Sequence, residues 1–68
     1  MNINKEALEY AVKDVLDESI VQKYDFAVIL NSARIVWDDT AVEVRGSDFR
    51  MVFDILTYDL LSYTGYDA

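Results

Sequence analysis

Carboxylates are the only abundant reactive groups in this chain: thirteen Asp and Glu among 68 residues, with no histidine and no cysteine. Without imidazole or thiol, the Ser–His and Cys–His nucleophile pairs and the histidine- or cysteine-based metal sites have no components. Carboxylates alone can do acid–base work or hold a hard cation, and Asp38-Asp39 is the tightest pair. Nothing around that pair has a recognisable ligand spacing, and Asp38-Asp39-Thr40 is also what a tight turn uses. Gly46 and Gly65 are the only glycines, too few for a phosphate-cradling loop. A domain this small also has little room for a pocket of about 300 Å³ or more. No catalytic residue, cofactor or metal ligand is assigned, and the chain is expected to be non-enzymatic.

The carboxylates have a second use, as a charged surface. Thirteen acidic residues against six basic ones leave a net charge of −7. That field repels phosphates, so direct nucleic-acid binding and docking on anionic membranes are not expected. It suits a larger, partly basic protein partner, and it also suits plain solubility. Glu6, Tyr10, Asp14 and Asp17 fall at i, i+4, i+8 and i+11, one polar arc of a helix. At about 1.5 Å rise per residue, neighbours in that row lie about 6 Å or less apart along the axis. A row of that pitch can imitate the charge of a nucleic-acid strand, although a solvated face of an acidic helix has the same composition. Tyr58, Tyr63 and Tyr66 lie close in sequence to Asp59 and Asp67, with Tyr10 and Tyr24 near the first helix. Aromatic rings with polar tips beside carboxylates are good material for a protein-binding hot spot.

The elements that must position these residues are short. Leu8, Ala11, Val12, Val15, Leu16 and Ser19 follow the helical period, which predicts a helix from Lys5 to about Ser19 with Asn4 as N-cap. Phe26 to Leu30 is a continuous apolar run and reads as a buried central strand. Arg34–Asp38 and Ala41–Arg45 alternate. Ile35, Trp37, Val42 and Val44 would share one face, and Arg34, Val36, Glu43 and Arg45 the other. Ser47 is a reasonable N-cap for a last helix running to about Tyr63, with Gly65 as its left-handed stop. The expected fold is therefore α+β: a single domain over 1–68, two-layer α-β-β-β-α, with a three-stranded antiparallel meander and two flanking helices.

That arrangement leaves surplus apolar surface. On the expected last helix, Met51, Ile55 and Tyr58 form a second stripe beside the main apolar face, and Val36 sits on the uncovered sheet face. Either these four residues complete one core, or they form a surface for a homodimer or another partner. No run of apolar residues approaches a membrane span, and no signal peptide precedes the first helix, so a cytoplasmic protein is expected. In size, acidity and lack of catalytic residues the chain is similar in character to phage and mobile-element antagonists of host defence, including anti-CRISPR proteins and DNA mimics. That likeness implies an inhibitor occupying a host nucleic-acid-binding protein. The alternative is a self-associating structural or regulatory domain whose acidity serves solubility.

Overall fold

The computed structural model describes residues 3–16 and 25–65. Among these described residues, two helices, α1 (Lys5–Val15) and α2 (Phe26–Asn31), precede four strands. These are β1 (Arg34–Val36), β2 (Ala41–Arg45), β3 (Phe49–Asp54) and β4 (Leu60–Gly65). All neighbouring strands are antiparallel and adjacent in chain order, β1-β2-β3-β4. The α+β class is as expected, but among the described residues the order is α-α-β-β-β-β.

α1 begins where the sequence places it. The Asn4 side chain accepts from the Ala7 N–H at 3.1 Å, satisfying one of the helix's unpaired first-turn donors. Glu9 and Lys13 pair at 3.1 Å across one turn, and the Lys13 ammonium also lies 5.5 Å from the Phe26 ring centre. That second contact ties α1 to α2 through a cation–π interaction. Leu8, Val12 and Leu16 carry the buried stripe.

The Phe26–Leu30 run is a helix, not the expected central strand. Its start is set by Asp25, whose side chain accepts from the Ala27 N–H at 3.0 Å. At its end the Ser32 hydroxyl donates to the Ile29 carbonyl at 2.6 Å and accepts from the Arg45 N–H at 2.8 Å. That hydroxyl joins the end of α2 to the end of β2. Only Ile29 of this run is fully buried, while Val28 is exposed, so the apolar character of the run does not mean that it is buried.

The β1–β2 hairpin forms as expected, with Ile35 opposite Val42 and Arg34 opposite Glu43. However, β1 stops at Val36, two residues short of the expected Asp38, so Trp37 belongs to the turn and not to the Ile35 face. Its turn holds Trp37, Asp38 and Asp39 at positive φ (55°, 55° and 66°). Asp tolerates that left-handed region through local hydrogen bonding, which is why an Asp-Asp turn works without glycine.

The expected last helix is absent; its residues form β3, a turn and β4. Phe49, Met51 and Phe53 alternate onto the helix-covered face and are fully buried. Ser47 therefore caps no helix but lies between β2 and β3, and Gly65 ends a strand without positive φ. Asp54 makes the turn possible. Its Oδ1 accepts from the Leu56 and Thr57 N–H groups at 2.8 and 3.0 Å, and Tyr58 takes a φ of 59°. Those two backbone donors hold the Asp54 carboxyl below its ordinary range.

Both helices lie on one side of the sheet. Leu8, Val12, Leu16 and Ile29 pack with Val42, Val44, Phe49, Met51 and Phe53 in one core. Met51 and Ile55 are therefore interior residues, not the partner surface expected of them. Met51 is interior because a strand alternates where a helix would have turned it onto a separate stripe. Ile55 lies just past β3, tied down by its N–H donating to the Thr40 carbonyl at 3.1 Å.

All three arginines of the chain occupy the opposite sheet face, around Glu43. Arg45 Nε and Arg34 Nε lie 2.6 and 3.3 Å from the same Glu43 oxygen. Arg50 stands directly across from Arg45. Burial works to raise the Glu43 pKa, but the Arg45 hydrogen bond and the charges of Arg34, Arg45 and Arg50 outweigh it and hold it below normal. Glu43→Gln should cost about 1–2 kcal/mol at neutral pH, kept modest because both pairing arginines are half in solvent. Because the folded pKa is depressed, this contribution is complete above the unfolded value near 4.5 and is lost as pH falls through the folded one. The difference in melting temperature between wild type and Glu43→Gln should therefore be constant near neutrality and close in acid. A gap that widens in acid would contradict this charge network.

Candidate protein-binding site

Tyr10 and Asp14 of the acidic row and Tyr58 and Asp59 of the tyrosine–aspartate cluster, far apart in sequence, meet at one groove, while Tyr63 lies on β4 outside its lining. It lies between α1 and the β3–β4 turn, holds about 520 Å³, and is open to solvent. Asn4, Tyr10 and Asp14 line it from the helix, and Leu56, Tyr58 and Asp59 from the turn. A smaller hollow of about 330 Å³ shares Asn4, Ala7 and Tyr10 with it and adds Glu6. Tyr10 is thus common to both hollows, with Glu6 on one side and Asp14 on the other.

The positioning is local and physical. α1 places Glu6, Tyr10 and Asp14 one turn apart on its exposed face, while Leu8 and Val12 anchor the helix from beneath. Tyr58 is held by its own hydroxyl, which accepts from the Asn4 N–H at 2.9 Å. That bond satisfies another free donor of the helix start and fixes the turn against α1. The turn then projects Leu56 into solvent at 78% exposure, and Tyr10 is 66% exposed. Two large apolar surfaces stand free within a frame of carboxylates. No lysine or arginine is among the described residues lining the groove.

Of the expected acidic row, Glu6, Tyr10 and Asp14 are all exposed and together, and Asp17 lies outside the described residues. Tyr24, Tyr66 and Asp67 also lie outside them. Of the second expected surface, Tyr58 is half-buried and joins the groove, Val36 sits on the arginine face, and Met51 and Ile55 are core. Leu56, which falls inside the expected last helix and has no site role in the sequence reading, is the groove residue the sequence does not single out. Its signal is Asp54 two positions earlier, an Asx-turn former that breaks the regular element before Leu56. A groove of this size also exceeds what the chain length led one to expect.

No group of three or more acidic side chains that could hold a metal occurs among the described residues. No described helix is long and apolar enough to cross a membrane. The groove offers hydrogen-bond acceptors, negative charge and apolar contact, which is chemistry for recognition. No protein-family model, curated protein or solved structure matches the chain.

Proposed function

We propose that the protein is a non-catalytic binding module that occupies a basic, partly apolar segment of a larger protein through the α1–turn groove. The observation that carries this reading is the convergence of Tyr10, Leu56 and Tyr58 with Asp14 and Asp59 in one open groove. Aromatic and aliphatic anchors ringed by charge are the usual anatomy of a protein-binding hot spot. A lysine or arginine of the partner would meet Asp14 and Asp59 while its apolar neighbours cover Tyr10 and Leu56. The charge layout supports the same polarity. The three arginines are gathered on the opposite sheet face, leaving the groove wholly acidic among its described residues.

If the partner is a nucleic-acid-binding protein, the Glu6–Tyr10–Asp14 row would sit where phosphates normally do, and the module would inhibit by occupancy. Asp14→Lys with Asp59→Lys should lower the affinity for such a partner by about 100-fold or more, since each reversal turns an attraction into a repulsion. Wild-type binding should also weaken steeply with salt. The check is affinity capture of the partner from the native host on immobilised protein, followed by titration at two ionic strengths. Unchanged affinity in the double variant would rule out this groove as the binding surface.

A further inference from the structure

The arginines gather at one end of the sheet face opposite the helices, away from the Asp38-Asp39 and Asp54 turns. Arg45 and Arg50 stand directly opposite each other on β2 and β3, and Arg34 flanks them on β1, across from Glu43. Like charges directly opposite in an antiparallel pair repel. The chain has thirteen acids to set against Arg45, and it places another arginine there instead. Glu43 relieves part of this repulsion through the Nε groups of Arg45 and Arg34. Arg50 feels Glu43 through its charge, but its own Nε is buried without a hydrogen-bond partner among the described residues. A buried donor left unmatched is a cost that the fold alone does not recover.

We propose that this end of the sheet binds a tetrahedral oxyanion of the phosphate class, seated between Arg45 and Arg50 with Arg34 beside it. Opposed residues of an antiparallel pair lie about 4.5–5.5 Å apart at Cα, so the two guanidinium forks can meet one anion from two sides. A carboxylate has two oxygens and fills one fork, whereas a phosphate has oxygens for both. The local charge agrees, since Arg34, Arg45 and Arg50 outnumber Glu43 and Asp48 at this end. The carboxylates of α1 lie beyond the core on the other side of the sheet, and salt screens charges over about 8 Å under physiological conditions. Thr64, opposite Arg50 on β4, adds a hydroxyl donor on the same face. A swing of the Arg50 side chain toward the anion would bring its unmatched Nε into the same set of bonds.

The groove plays no part in this site, so the two readings stand or fall separately. The test is titration of inorganic phosphate into isotope-labelled protein, with sodium chloride adjusted to hold the ionic strength constant. The Nε–H signals of Arg45 and Arg50 and the Thr64 amide should shift and saturate with a dissociation constant of about 1 mM, while Tyr10 and Asp14 stay still. Arg50→Gln should weaken binding by about tenfold or more. Without phosphate its melting temperature should equal or exceed that of the wild type, because a repulsion has been removed; a purely structural arginine would lower it. Phosphate also stabilises proteins generally by exclusion, so a saturable rise in melting temperature should occur in the wild type and be absent in Arg50→Gln. Acetate should bind about tenfold more weakly than phosphate. Equal binding of methyl phosphate assigns the site to phosphate esters, and weaker binding assigns it to the free ion. Shifts that grow without saturating, that persist unchanged in Arg50→Gln, or that acetate reproduces at the same concentration would overturn the inference.

Discussion

Replacing Phe53 by alanine should leave most of the chains unfolded at 25 °C. Phe53 is 1% exposed, sits on β3 opposite Val42 and Leu60, and belongs to the one core shared by helices and sheet. Losing a buried phenyl ring costs about 3–5 kcal/mol in transfer and cavity terms. A domain of this size, with neither disulfide nor metal, has about 3–5 kcal/mol of stability in total. The substitution therefore removes all or most of it. Circular dichroism with urea titration should show Phe53→Ala unfolded or within one molar of its midpoint, while Leu56→Ala, in the exposed turn, changes stability by about 0.5 kcal/mol or less. Equal effects at both positions would contradict the assignment of these residues to core and surface.

The second large effect is expected at Gly46, for reasons of space. A Cβ built there would meet three atoms of the Phe49 ring at 2.3, 2.5 and 2.8 Å. The ring has no easy retreat, because it is buried and stacked against Tyr63. Gly46→Ala must displace it, and overpacking of this kind costs about 1–3 kcal/mol. The cause can be isolated with a smaller neighbour. Phe49→Leu destabilises on its own, but it also clears the space, so the double variant should be more stable than the sum of the two losses predicts. Simple additivity would mean that the glycine is required for something other than the ring beside it.

These residues also show why half of the fold was legible in the sequence and half was not. α1 announces itself through Asn4, the Leu8–Val12–Leu16 stripe and the Glu9–Lys13 pair. The β1–β2 hairpin does so through alternation on both sides of Asp38-Asp39. The segment 49–63 satisfies two periods at once. Phe49, Val52, Phe53, Leu56 and Leu60 repeat every three or four residues, while Phe49, Met51 and Phe53 repeat every two. What decides between them is a turn with no glycine, proline or asparagine in it. Asp54 makes that turn with its own side chain, and Tyr58 accepts a left-handed φ that its composition does not advertise. The run at Phe26 failed differently, because six apolar-rich residues fit either element and a single capping carboxylate, Asp25, tipped the balance. The site followed the same division. The acidic row was readable because it lies on α1; its meeting with Leu56 and Asp59 depends on a strand pairing that the pattern did not reveal.

The claim that the α1–turn groove is the binding surface is best tested by mapping amide chemical-shift changes when the captured partner is titrated into isotope-labelled protein. The account predicts the largest changes at Ala7, Tyr10, Asp14 and Leu56 to Asp59, with Arg34, Arg45 and Arg50 unaffected. Changes centred on the arginine face, with the groove silent, would contradict it.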